Sequence, residues 1–405
     1  PSATAGIVKE NIAGIITETG ETTSHSAILA RALEIPAVLS VEGVASSLKN
    51  GDTVVVDGSE GAVIVNPDDN TVAEYSKKRD AFLAERKELE NYRGRETKSA
   101  SGEAYELFCN IGKPEDAVKA VDADGEGVGL FRTEFLFMDR TSIPTEDEQF
   151  EAYKKAALIL KGKSLIIRTL DIGGDKDIPY LGLEKEENPF MGFRAIRYCL
   201  KNRELFKSQI KAILRASAFG DIKIMFPLIT TMDELREGKK LVAECKADLR
   251  NMGINFNENI QVGVMVETAS AAVIADMLAK EADFFSIGTN DLTGYTMACD
   301  RGNNDVSYLY SPLQPSVLRM IKRTIECGVQ NGISVGMCGE AAANKLMIPL
   351  LISFGLTEFS VSAPSVLNVR KIISTWTKEE ADKVTAKVLE MSTQQEIVEY
   401  LKSVV

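Results

Sequence analysis

The stretch Val128-Gly129-Leu130-Phe131-Arg132-Thr133-Glu134 is a short apolar run that ends in an arginine, a threonine and a carboxylate. A short apolar run bounded by polar residues is typical of a buried strand. Similar runs recur from about residue 101 onward, and a helical pattern follows most of them. These βα units fill roughly 300 residues and predict an α/β protein with a TIM-type (β/α)8 barrel over residues 99–405. The predicted strands are Tyr105–Asn110, Val128–Glu134, Leu165–Asp171, Ile222–Leu228, Val262–Glu267, Phe284–Asn290, Ser334–Gly339 and Glu358–Val361.

A doubly wound open sheet is the alternative arrangement for the same alternation of strands and helices. No G-x-G-x-x-G or P-loop pattern follows any of the predicted strands. The nucleotide-binding form of the open sheet is therefore the weaker interpretation.

Five of the predicted strands end in or next to charged residues, which in a barrel converge on one face, where active sites lie. Arg132, Arg168 and the nearby Arg301 offer forked donors suited to phosphate or carboxylate oxygens. Glu267 and Asp291 offer the hard oxygen ligands that Mg²⁺ prefers. One such arginine–glutamate pair is equally consistent with a stabilising ion pair, but five strand ends of this kind favour a site. The pattern predicts a small phosphorylated and carboxylated substrate bound with Mg²⁺.

Cys338 ends the seventh predicted strand, between Met337 and Gly339. A single cysteine in such a place is ordinarily an inert buried thiol. A thiol with a pKa of about 8.5 is protonated at neutral pH, so at a strand end it is also a candidate proton donor.

Residues 1–68 have the pattern of a small α/β domain. Ile12–Glu18, Thr53–Asp57 and Ala62–Val65 are predicted strands, and Ser24–Leu33 is a predicted helix that Pro36 ends.

His25 is the chain's single histidine, so any histidine chemistry belongs there and a site with several histidines is excluded. It lies at a predicted helix start, where free N–H groups and the helix dipole favour an anion. A phosphoryl group on His25 would be stabilised there, with Thr23 orienting the ring and Arg31 contacting the phosphate. An exposed histidine without a function is the competing interpretation.

Residues 69–98 are rich in Lys, Arg and Glu, with a sparse apolar stripe that includes Val72, Phe82 and Leu89. This pattern predicts a charged helical linker between the two domains, packed along one seam.

Composition excludes several classes of function. The net charge of -12 argues against nucleic acid and anionic membranes as partners. The six cysteines are widely spaced without a C-x-x-C pair, which indicates reduced thiols and a cytoplasmic protein. No apolar run reaches the roughly 18 residues of a membrane span. The sequence begins at Pro1 within what resembles a running domain, so we expect a fragment of a longer protein.

Several long segments, in order along nearly the whole chain, resemble the enzyme I family, the phosphoenolpyruvate-protein phosphotransferases of the bacterial sugar phosphotransferase system. One departure is that Gly20 is followed by Glu21, where the family usually has two adjacent glycines ahead of Thr-Ser-His. The segments that carry the resemblance are Thr23 to Ala37, Gly127 to Leu136, Arg168 to Lys176, Asn188 to Arg197, Ile287 to Leu292 and Gly336 to Ala341.

The resemblance implies roles for individual residues. His25 would accept the phosphoryl group of phosphoenolpyruvate, and Cys338 would protonate the enolate to give pyruvate. Glu267 and Asp291 would bind Mg²⁺. The substrate would be held by Arg132, Arg168 and Arg301, with support from Arg194, Asn290 and Asp291.

The resemblance also implies partners. The family has a helical part that docks the phosphocarrier protein HPr, and we expect that part to precede Pro1. This chain alone should therefore pass phosphate to HPr inefficiently. A homodimer through the barrel is implied as well. The alternatives are a dikinase-type phosphoenolpyruvate enzyme, which needs an ATP-grasp domain not seen here, and a non-catalytic phosphoenolpyruvate-binding dimerisation module.

Overall fold

The computed structural model describes residues 12–18, 30, 35–138, 140–173 and 178–405. The chain divides into two compact units, residues 1–91 and residues 92–405. Within the described part, no helix combines the length and the apolarity that crossing a membrane requires.

The first unit contains two small sheets. Strand β1 (Ile15–Ile16) pairs in parallel with β2 (Ala37–Val38), and β3 (Val54–Asp57) pairs antiparallel with β4 (Ala62–Val65). The hairpin confirms the two strands predicted on either side of residues 58–61, and Asp57 Oδ1 fixes its turn by accepting from Ser59 N at 2.9 Å. The first strand is shorter than the predicted Ile12–Glu18. The predicted helix Ser24–Leu33 and His25 lie outside the described residues, except for Ala30.

Among the described residues of the same unit, α1 (Val44–Ser47) and α2 (Asp69–Leu89) are the helices with defined bounds. Asp68 caps α2, because its side chain accepts from Thr71 N at 2.7 Å. No residue of α2 is buried, and Phe82 is 61% exposed. The stripe predicted to pack along a seam is thus not buried.

The segment predicted as a helical linker, 69–98, is helical only in its first part. A 3₁₀ turn over Glu90–Tyr92 follows α2, and Gly94 adopts φ 73°, which an α-helix cannot accommodate. Residues 93–98 are therefore not helical. Tyr105 N donates to Thr97 O at 2.9 Å, so this stretch belongs to the second unit.

The second unit is a closed barrel of eight parallel strands, which confirms the predicted (β/α)8 fold and excludes the open sheet. Each strand pairs with its neighbour in sequence, and the eighth pairs with the first in the register Glu358↔Glu106. Each predicted strand forms within one to three residues of its expected bounds. The strands are β5 (Glu106–Ile111), β6 (Val128–Arg132), β7 (Leu165–Arg168), β8 (Ile222–Phe226), β9 (Val262–Val266), β10 (Phe284–Ile287), β11 (Ser334–Met337) and β12 (Glu358–Val361).

Helices surround the barrel and seal its outer face. Four of them begin at a threonine that forms a capping box with a glutamate three residues on, at Thr145, Thr231, Thr377 and Thr393. The α-helices of this unit are α3 (Asp116–Asp122), α4 (Glu146–Leu160), α5 (Ala195–Lys201), α6 (Arg203–Ala216), α7 (Met232–Asn251), α8 (Ala269–Val273), α9 (Ala275–Leu278), α10 (Thr289–Met297), α11 (Pro315–Gln330), α12 (Ile348–Phe354), α13 (Val366–Thr375), α14 (Lys378–Glu390) and α15 (Gln394–Val404). Short 3₁₀ turns lie at Thr133–Leu136, Pro179–Leu181, Pro189–Met191, Asn304–Leu309, Glu340–Ala343 and Ala363–Ser365.

Successive side chains along each strand face opposite sides of the barrel wall, as the period of two in a strand requires, and both sides carry apolar residues. The main hydrophobic core lies between the strands and the helices. A second, smaller cluster fills the barrel interior and consists of Leu130, Ile166, Met225, Met265, Phe284 and Cys338. This interior plug supports the carboxyl-terminal ends of the strands from below.

The opposite end of the barrel holds a buried carboxyl group, Glu358, at the start of β12. It is only 5% exposed, and its Oε1 has no hydrogen-bond partner among the described residues. Gly336 leaves room for it, since a Cβ at that position would lie 2.8 Å from Oε1. Burial and, to a smaller extent, the charge of the neighbouring Glu106 raise the pKa of Glu358 to about 8, against the opposing effect of Lys223.

The wild-type protein is expected to lose stability at high pH, and replacing Glu358 with glutamine should abolish that loss. A carboxyl whose pKa is raised on folding is stabilising below its unfolded pKa, and that contribution is lost as the pH rises through the folded value. From about pH 5 to about pH 9, the wild type should lose about 3–5 kcal/mol of unfolding free energy relative to Glu358→Gln. Urea unfolding followed by the fluorescence of Trp376, the single tryptophan, reports this difference. Parallel pH profiles for the two proteins would show that Glu358 is not buried as a neutral acid.

Candidate active site

Arg168 ends β7 and is held by carboxylates from two neighbouring strand ends. Its Nη2 lies 2.8 Å from Glu134 Oε1, and its Nη1 lies 2.9 Å from Asp171 Oδ2. All three side chains are buried. Arg168 Nε and Glu134 Oε2 have no hydrogen-bond partner among the described residues. The strand end thus presents a fixed guanidinium with donor capacity to spare.

Arg194 immediately precedes α5 and extends the same ion-pair network. Its Nη2 lies 2.8 Å from Asp171 Oδ1 and 3.1 Å from Asp291 Oδ2. Asp171 is therefore shared between two arginines. Asp291 lies in the first turn of α10, where an acidic residue is favoured by the helix dipole.

Glu267 follows β9 and is 2% exposed. Its Oε1 accepts a hydrogen bond from Leu228 N at 2.7 Å, and Leu228 takes the left-handed backbone conformation, with φ 55°. Gly288 gives the carboxylate its space, because a Cβ there would lie 2.7 Å from Glu267 Oε2. Burial and the negative charges of Asp291 and Asp171 raise the pKa of Glu267.

This carboxylate pair has the chemistry of a divalent-cation site. Asp291 is close enough for its charge to disfavour the ionised form of Glu267, and a cation between them would relieve that repulsion. Within the described residues, no group of three or more His, Cys, Asp and Glu side chains is placed to hold a metal ion. A cation held here would need further oxygen ligands from water or substrate, as is usual for Mg²⁺.

Arg132, Asn290 and Arg301 lie around this buried network. Arg132 is the last residue of β6, is exposed, and is in register with Arg168 on the adjacent strand. Arg301 follows α10, and its guanidinium carbon lies 5.9 Å from the centre of the Phe190 ring, while that of Arg194 lies 5.8 Å from the same ring. Asn290 is partly exposed beside Asp291, and its carbonyl accepts from Tyr310 OH at 2.9 Å.

Cys338 follows β11 and belongs to the interior plug. Its Sγ lies 3.7 Å from Ile287 O, to which the thiol donates. Asn110 Nδ2 donates to Cys338 O at 3.0 Å and fixes the peptide that carries the thiol. Burial raises the pKa of Cys338 to about 11, so the thiol is protonated at neutral pH.

Two supporting residues were not predicted from the sequence. Tyr295 OH accepts from Arg194 Nη1 at 3.3 Å and donates to Phe190 O, which ties α10 to the segment that carries Arg194. Gln209, buried in α6, donates to Thr133 Oγ1 at 3.1 Å and accepts from Leu170 N at 2.8 Å. A glutamine or tyrosine within a helix carries no pattern that distinguishes these contacts in the sequence.

Gln209 joins the two strand ends that carry the arginines. Thr133 Oγ1 in turn donates to Arg168 O at 2.8 Å, so the ends of β6 and β7 are linked through buried hydrogen bonds. Such support fixes the separation of Arg132 and Arg168, on which the binding of a phosphate group would depend.

His25 and its neighbours Thr23 and Arg31 lie outside the described residues, as do residues 174–177. The structure thus brings together Arg168, Arg194, Glu267 and Asp291, with Arg132, Asn290, Arg301 and Cys338 on adjoining elements.

Known families match both units of the chain. Residues 86–377 match the family of the PEP-utilising enzyme, PEP-binding domain, and residues 1–61 match that of the PEP-utilising enzyme, mobile domain. A phosphoenolpyruvate-protein phosphotransferase from Bacillus subtilis is 50% identical over 402 residues, which are 99% of this chain and 70% of that protein. The chain belongs to the phosphoenolpyruvate-protein phosphotransferase family. Relatives of the same name from Staphylococcus carnosus and Geobacillus stearothermophilus are 48% and 49% identical, again over 99% of this chain and 70% of theirs.

Membership of the phosphotransferase family confirms the predicted activity, transfer of the phosphoryl group of phosphoenolpyruvate. It also decides against the dikinase and the non-catalytic module as interpretations of the chain.

Proposed function

We propose that the barrel binds phosphoenolpyruvate with Mg²⁺ at the carboxyl-terminal ends of its strands and transfers the phosphoryl group to His25. The observation that carries this proposal is the buried network of Arg168 and Arg194 with the carboxylates of Glu267 and Asp291. It combines fixed cations for an anionic substrate with hard oxygen ligands for a divalent metal.

Glu267 and Asp291 would hold the Mg²⁺, which when bound supplies charge neutralisation for the phosphate and carboxylate oxygens of the substrate. Arg168 is fixed by its buried ion pairs, while Arg132 and Arg301 are exposed and free to close on the phosphate. Asn290 in α10 and Arg194 ahead of α5 support the substrate. Fixed donors of this kind stabilise the charge that spreads over the phosphate oxygens during transfer.

In the proposed reaction a ring nitrogen of His25 forms a bond to phosphorus as the bond between phosphorus and the enol oxygen breaks. The electron pair leaves with the enolate. The thiol of Cys338 then gives its proton to the methylene carbon, which produces pyruvate. Because the thiol is protonated at neutral pH, the proton is available without prior ionisation.

The domain roles follow from this chemistry. Residues 1–68 are proposed as the phosphohistidine domain, which must approach the barrel and withdraw again, and residues 69–98 as the linker that permits this. Residues 99–405 are proposed as the phosphoenolpyruvate-binding barrel. The match of residues 1–61 to a mobile-domain family supports the first assignment.

The proposed partners extend beyond this chain. HPr is the proposed onward acceptor of the phosphoryl group. In a full-length enzyme, HPr would dock on a helical part ahead of residue 1. A homodimer through the barrel and a cytoplasmic location are proposed as well. All six cysteines are unpaired, which supports a reducing compartment.

The experiment that tests the proposal is transfer of labelled phosphorus from phosphoenolpyruvate to the chain in the presence of Mg²⁺. Label should appear as an acid-labile phosphoryl group in the wild type and should be missing from His25→Ala.

A further inference from the structure

Proton transfer from Cys338 would leave a negative charge in apolar surroundings. The thiol is packed with Leu130, Met225, Met265 and other members of the interior plug. The thiol donates a hydrogen bond to Ile287 O, an acceptor that suits the S–H group and repels a thiolate. The thiolate form of Cys338 would therefore need a hydrogen-bond donor directed at its sulfur.

Ser286 lies beside this sulfur and has an uncommitted hydroxyl. It is 1% exposed, and its Oγ makes no hydrogen bond of ordinary geometry with any described group. Strand alternation places it on the same side of β10 as Phe284, which is in the interior plug with Cys338. The adjacent strand carries the thiol, in the register Ile287↔Met337.

A buried hydroxyl without a partner is costly, and such groups in native proteins call for an explanation. Burial raises the pKa of Cys338, whereas the hydroxyl of Ser286 lowers it, as a hydrogen-bond donor to the sulfur would. Arg168 and Arg132 act in the same direction, and Glu267 acts in the opposite one.

We infer that the Ser286 hydroxyl donates a hydrogen bond to the Cys338 sulfur once the thiol has given its proton to the enolate, and so stabilises the thiolate. This inference rests on the proposed role of Cys338 as the acid. In the step, the S–H bond breaks, the proton forms a C–H bond at the methylene carbon, and the electron pair stays on sulfur. The O–H bond of Ser286 remains intact throughout.

Ser286→Ala is expected to slow pyruvate formation about 10- to 100-fold in a single turnover, because a hydrogen bond to a charged group is lost. The rate of phosphoryl uptake by the protein should be unchanged. The pKa of the Cys338 thiol, measured by thiolate absorbance as the difference from a matching Cys338→Ala protein, should rise. Ser286→Thr keeps the hydroxyl and should restore both quantities.

Ser164→Ala is the matched control. Ser164 also has a buried hydroxyl without a partner, but it precedes β7 at the opposite end of the barrel from Cys338. A purely structural effect of removing a buried hydroxyl would appear in both variants.

The outcomes separate this inference from the proposed function. If Cys338→Ala leaves pyruvate formation unchanged, the thiol is not the acid and the proposed function fails on that point. If Cys338→Ala slows pyruvate formation while Ser286→Ala behaves like Ser164→Ala, Cys338 is the acid but the proposed role of Ser286 is wrong. A loss in Ser286→Ala that Ser286→Thr does not restore also contradicts the inference.

Discussion

Replacement of Cys338 with alanine should slow pyruvate formation about 10²- to 10⁴-fold, the usual contribution of a positioned general acid. Phosphoryl transfer to the protein should keep its rate within a few-fold, because the thiol belongs to the interior plug and not to the arginine network proposed to hold the phosphate. The buried position of Cys338 keeps it protonated at neutral pH, and Asn110 fixes the peptide that aims it. Rapid-quench measurement of labelled protein and of pyruvate in the same reaction distinguishes the two steps.

Cys109→Ala provides the matched control for this variant. Cys109 is an equally buried free thiol in β5 of the same barrel, and burial raises its pKa to about 12. It packs in the outer core rather than in the interior plug. Its loss should leave both rates unchanged. Equal slowing of both steps in Cys338→Ala would indicate a structural role for the thiol instead.

The second large effect is expected for Glu267→Gln, a nearly isosteric change that removes one of the two proposed metal ligands. Loss of one of the two carboxylates should reduce Mg²⁺-dependent turnover on the order of 10³-fold, since charge stabilisation by the metal contributes several kcal/mol. The stability of the barrel should not fall. Glu267 is disfavoured as an anion by burial and by its acidic neighbours, while the amide oxygen can still accept from Leu228 N.

Glu358→Gln controls for the removal of a buried glutamate from the same barrel. It should alter stability at high pH while leaving Mg²⁺-dependent activity unchanged. The measurement is turnover as a function of Mg²⁺ concentration, together with urea unfolding of each protein. Full activity in Glu267→Gln would show that this carboxylate does not hold the metal.

Much of the barrel could be predicted because its strands are short and apolar and alternate with helical segments. The eight strand positions follow from short apolar runs, and five of these, such as Leu165–Asp171, end in or next to charged residues. Convergence of strand ends is a property of the fold, so the grouping of Arg168, Glu267 and Asp291 could be anticipated once the barrel was predicted.

Other features depend on contacts between residues far apart in sequence. Glu358 is buried because glycines of β6 and β11 leave space for it, which no local pattern reveals. Gln209 and Tyr295 are functional candidates only because of the partners that they contact, which are distant in the sequence. The charged segment 69–98 has a helical composition throughout, yet Gly94 and the pairing of Thr97 with Tyr105 end the helix early.

The central claim is that His25 receives the phosphoryl group from phosphoenolpyruvate bound at the barrel. The most direct measurement is incubation of the chain with Mg²⁺ and phosphorus-labelled phosphoenolpyruvate, followed by mapping of any acid-labile label. We predict label on His25 in the wild type, equal in amount to the pyruvate formed, and none in His25→Ala. Label that persists in His25→Ala, or pyruvate formed without any labelled protein, would contradict the claim.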